Sequence, residues 1–80
     1  MTTPLVSLIP GRSGVITQID ITGPRMRRVA ELGLRPGVSC HVVTRTSGGG
    51  LVIAVHDGRL ALDRETATAI RVSVAPGIRR

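Results

Sequence analysis

The chain has 80 residues, 41% of them hydrophobic, with 11 basic and 5 acidic side chains and a formal charge of +6. It is too apolar for a disordered tail and too short for more than one thin core, since a chain this size buries only about 60–65% of its unfolded surface. It contains no Phe, Tyr or Trp, which weighs against modules that stack unpaired bases on aromatic rings. A single cysteine allows no internal disulfide and fits a reducing compartment. The longest uninterrupted apolar run, Leu51–Val55, is far short of the ~20 residues a membrane-crossing helix needs. Met1–Pro10 lacks a basic leader and a sustained apolar stretch, so a cytoplasmic chain is expected.

Glycine and proline divide the chain into short segments. Pro10-Gly11, Gly23-Pro24, Pro36-Gly37, Gly48-Gly49-Gly50 and Asp57-Gly58 read as turns. Between them the β-branched stretches Gly14–Ile21, Val38–Arg45, Leu51–His56, Arg59–Leu62 and Ile70–Val74 predict five strands of a small barrel or sandwich. The first and second strands are separated by one short helix. Pro24 suits its first position, and Gly33 with Pro36 provides its stop. At 100° per residue, Met26, Val29, Ala30 and Leu32 share one face of this helix, opposite Arg27, Arg28 and Glu31. Asp57-Gly58 predicts a two-residue hairpin loop with Val55 facing Leu60 and Ile53 facing Leu62. Asp63 reads as the N-cap of a single helical turn over Asp63–Ala67. The expected core holds Ile53, Val55, Leu60, Leu62, Ile70 and Val72.

Catalytic residues are not evident. Asp57 is used by its turn and Asp63 by its cap, no Ser, His and acid form a local motif, and Gly48–Gly50 lacks the Lys-Ser/Thr of a phosphate loop. The weak metal candidates are Cys40, His41 and His56. Cys40 and His41 are strand neighbours and point to opposite faces. Pairing Arg45 with Leu51 would set Cys40 opposite His56; a register one residue different would set Val42 opposite Val55 and keep Val38, Cys40 and Val42 on the core side. The hydrophobic pattern favours the second, with Cys40 a small buried hydrophobe. No firm cofactor follows from these residues, beyond a metal held weakly or shared between chains. All eleven basic residues are Arg and most are scattered. Without aromatics they would support only nonspecific phosphate contact, so no specific nucleic-acid partner is expected. The densest basic cluster away from the C-terminus is Arg27, Arg28 and Arg35 beside Glu31, a candidate partner surface.

The segment Ala30-Glu31-Leu32-Gly33-Leu34-Arg35-Pro36-Gly37, with alternating apolar residues after it, resembles the ELGL-x-PG signature of the ferrous iron transport protein A (FeoA) family. The resemblance continues upstream through Leu8-x-Pro10-Gly11-x-x-Gly14 and downstream through Leu51–Val55, Leu60–Leu62 and Ile70–Val72, covering about residues 5–76 of a single domain spanning 1–80. It implies an SH3-like, partly open five-stranded barrel with one short helix. It also implies a cytosolic accessory role for a FeoB-type ferrous iron permease, by contact with its cytoplasmic region and without catalysis. The loop Thr46–Gly50 lacks the prolines common there in the family, and Asp63 stands where a basic residue is frequent. Two further readings share this fold: the regulatory domain of an iron-dependent transcriptional repressor, and a basic nucleic-acid-binding module. Met1 and the complete pattern favour a free-standing chain. Edge strands in so small a barrel leave backbone donors open, so weak self-association is expected.

Overall fold

The computed structural model describes residues 2–74. In chain order these form β1 (Thr2–Pro4), a 3-10 turn (Leu5–Ser7), β2 (Ser13–Ile19), α1 (Pro24–Glu31) and β3 (Ser39–Arg45). A second 3-10 turn (Ser47–Gly49), β4 (Leu51–Val55), β5 (Gly58–Leu62), α2 (Arg64–Ala69) and β6 (Ile70–Ser73) follow. All pairings are antiparallel, and the sheet runs β1-β6-β2-β3-β4-β5, with β1 and β5 as its unpaired edges among the described residues. The predicted architecture is therefore right in kind, a mostly-β sheet that does not close. The sheet has six strands rather than five, because Thr2–Pro4 pairs with the outer edge of β6. An edge position tolerates proline, whose missing N–H then faces away from the ladder. Residue 1 and residues 75–80 of the expected domain, which spans 1–80, lie outside the described residues.

One core gathers the inward side chains of β2 to β6, with Leu5, Ile16, Leu34, Leu51, Ile53, Ile70, Val42 and Val72 its largest fully buried members. Five of the six expected core residues are buried; Leu60 is only half-buried because β5 is an edge. Gly14 brings β2 onto β6: a Cβ there would lie 3.1 Å from Val72 Cβ and 3.2 Å from the Ser73 carbonyl oxygen.

Two registers differ from the sequence reading. In the β4–β5 hairpin Ile53 faces Leu60 and Leu51 faces Leu62, so the loop residues are His56 and Asp57, and Gly58 opens β5. His56 takes the positive φ (55°) that the sequence reading gave to Asp57-Gly58. The slip is two residues, so the predicted apolar face is kept. In β3–β4, Arg45 pairs with Leu51 and Thr44 with Val52. A bulge at Val43 then moves Val42 opposite Ile53 and His41 opposite Ala54, which matches neither register weighed for the whole strand.

Candidate partner surface

α1 begins with Gly23 (φ 75°) as N-cap and Pro24 at its first position, where the absent proline N–H leaves no intrahelical bond unmade. Its end is a Schellman closure: Gly33 (φ 85°) donates to the Ala30 carbonyl at 2.9 Å and Leu34 to the Val29 carbonyl at 3.2 Å. Val29 and Leu34 are both buried, so the closure pins the C-terminal end of the helix to the core. This is the structural content of the segment Glu31-Leu32-Gly33-Leu34. Ala30, expected on the apolar face, is exposed.

With Val29 inward, Arg27, Arg28 and Glu31 face solvent, and Arg35 is exposed in the turn that follows. Among the described residues, neither Arg27, Arg28 nor Arg35 makes an ion pair. Arg25 behaves differently. Its guanidinium reaches Glu65 Oε2 (3.4 Å), Asp63 Oδ2 (3.6 Å) and Thr66 Oγ1 (3.1 Å), tying the start of α1 to the start of α2. These pairs are exposed and contribute modestly, 0–1 kcal/mol each by order of magnitude. Asp63 also accepts a hydrogen bond from the Thr66 amide (2.8 Å), the predicted N-cap, on a helix that runs on to Ala69 rather than stopping after one turn. Bonds from Thr66 and the charge of Arg25 hold the Asp63 carboxyl below the usual range.

A polar cleft of about 700 Å³ lies between the β2–α1 connection and α2. There Arg25 pairs with Glu65, and Asp20 accepts from Gln18 and lies 4.0 Å from Arg71 Nε, while Arg64 makes no ion pair among the described residues.

The metal candidates are separated. Cys40 is buried against β2 opposite Gly14, and burial pushes its thiol pKa up. His41 points to the opposite, exposed face, where Nδ1 and Ser13 Oγ share a hydrogen bond of 2.7 Å. His56 is exposed in the hairpin loop with its ring over Gly33; a Cβ on Gly33 would lie 3.2 Å from its Nε2. Among the described residues no three His, Cys, Asp or Glu side chains converge into a metal-binding group.

The FeoA domain model matches residues 3–74 of the chain. Among solved structures, an iron uptake regulatory protein (FeoA) superposes with a TM-score of 0.79 at 27% identity, covering 91% of this chain and 96% of that one. FeoA of Stenotrophomonas maltophilia, solved with zinc and described as a procaryotic SH3 domain protein, gives 0.71 at 29% identity, covering 91% and 89%. A manganese-dependent transcriptional repressor gives 0.84 at 22% identity; this chain spans only 42% of its length, and at that identity the likeness is one of fold. No match was found among curated proteins. With the SH3-like sheet and the closure at Gly33 both in place, the match over residues 3–74 makes this chain a member of the FeoA domain family.

Proposed function

We propose that the chain is a small accessory or regulatory protein of bacterial ferrous iron uptake that acts in the cytoplasm by contact with the cytoplasmic region of a FeoB-type permease. The observation that carries this reading is the family match over residues 3–74, joined to a surface suited to contact. Arg27, Arg28 and Arg35 stand exposed beside Glu31, without ion-pair partners among the described residues, on and just after a helix whose C-terminal end is fixed to the core. Arginines so placed donate to carboxylates in bidentate pairs and steer encounter with an acidic surface. The work is done by contact rather than by catalysis. Ferrous iron is bound weakly or not at all by one chain, and a shared site between two copies would use the exposed His41 or His56. Calorimetric titration tests the metal clause: a tight, stoichiometric Fe²⁺ site within one monomer contradicts it. Co-purification with the permease's cytoplasmic domain, with and without guanine nucleotide, tests the contact itself.

A further inference from the structure

β5 is an open edge. It is the last strand of the sheet, five residues long and free of proline, whereas the opposite edge, β1, has three residues and carries Pro4. Natural edges are commonly blunted by shortness or proline, and β1 has both. β5 has neither, and its one charged residue is Arg59. Beside its C-terminal half lies a groove of about 160 Å³ between the strand and α1, with Val29, Leu32, Ala61 and Leu62 as its apolar lining and Arg28 among the residues around it. That volume is below the roughly 300 Å³ of ordinary small-molecule sites and suits one aliphatic side chain. The acid at the groove, Asp63, is held by Arg25 and by the Thr66 amide. Arg25 is committed to Asp63, Glu65 and Thr66, which leaves Arg28 as the groove's cation without an ion pair among the described residues.

From this combination we propose that β5 and the groove beside it form a binding site for an extended acidic peptide segment of a protein partner. The segment adds as a further strand to Gly58–Leu62, seats one aliphatic side chain between α1 and β5, and sets a carboxylate against Arg28. Main-chain pairing supplies affinity in such complexes and the side-chain pocket supplies specificity. The charge agrees: the chain carries a formal +6, and Arg27 and Arg59 are exposed on α1 and β5 as well. The site can fail while the permease contact stands, and the reverse, since one is read with peptides and the other with the permease domain.

The test is selection of a random octapeptide library on the immobilised chain, followed by titration of recovered peptides into the isotope-labelled protein. Recovered sequences are expected to hold one aliphatic residue flanked by Asp or Glu. They should shift the amides of Gly58–Leu62 and Arg28–Leu32, slow hydrogen exchange along β5, and bind at least tenfold more weakly to Arg28→Glu. Arg28→Gln should fall between, and thermal melts of both variants should match the wild type. Recovery of no peptide, of peptides indifferent to Arg28→Glu, or of peptides that shift a different face overturns the proposal.

Discussion

Gly50 ends the loop before β4, and replacing it with alanine isolates one close approach of the chain to itself. Gly50 has φ −82° and ψ −175°, a conformation open to any residue, so the substitution meets no dihedral penalty. The space is what is missing. A Cβ at this position collides with the Leu62 carbonyl oxygen, comes within 2.8 Å of Thr46 Oγ1 and lies 3.4 Å from Asp63 Cα. The Leu62 carbonyl and Asp63 are backbone, and they join β5 to α2, so relief requires that junction to move. Overpacking of this kind costs about 1–3 kcal/mol. Reduced freedom of the unfolded chain returns roughly 0.4–1 kcal/mol of that. A net loss of about 1–2 kcal/mol corresponds to a melting temperature lower by on the order of 10 °C for a domain of this length. Gly58→Ala is the control: nothing lies within 4 Å of its Cβ and its φ is not positive. That variant should melt at or slightly above the wild-type temperature. The assay is thermal denaturation followed by circular dichroism. Equal melting of the two variants would refute the steric reasoning at Gly50.

Val55→Ala removes a buried side chain from β4 and should destabilise by roughly 1–3 kcal/mol in urea unfolding, with an unchanged slope. Asp63→Ala deletes the α2 N-cap and should lower stability by about 0.5–2 kcal/mol at pH 7. Because the folded carboxyl is held below its usual value, the Asp63 contribution is complete above about pH 4 and disappears as pH falls through the lowered folded value, so the wild type and Asp63→Ala should converge in acid melts. The Cys40 thiol, buried and kept neutral at pH 7, should resist a thiol-modifying disulfide reagent in the native protein and react at once in denaturant.

What the sequence made legible follows from which physical signals are local. The helix stop at Gly33 and the Asp63 cap were readable because each depends on a handful of adjacent residues, and both stand. Cys40 was placed inward by strand alternation, and it is 2% exposed. The hairpin register was not readable to the residue. Apolar alternation has period two and cannot separate registers two apart, and His56 adopting φ 55° decided between them. The bulge at Val43 escaped for a related reason, because two adjacent valines satisfy either side of it. Thr2–Pro4 has no periodicity and contains a proline, so β1 forms through pairing with β6, some seventy residues away, and the buried Leu5 after it packs in a turn set against α2 and β6. In the candidate surface, the exposure of Arg27, Arg28 and Glu31 was visible from helical spacing, and that of Arg35 from its place in the following turn. Arg25 was not distinguishable from them, since its partners Asp63 and Glu65 are about forty residues away in sequence.

The most direct test of the proposed contact is co-purification of the chain with the cytoplasmic domain of the FeoB-type permease, comparing wild type with Arg27→Glu/Arg28→Glu. Both side chains are exposed and make no ion pair among the described residues, so the double variant should melt like the wild type. The account predicts that the wild type is retained and that the variant is lost or binds at least tenfold more weakly, as close charge pairs fix orientation and on-rate. Equal retention of wild type and variant, with matching melts, would contradict the assignment of this face, and failure of the wild type to be retained would contradict the permease contact itself.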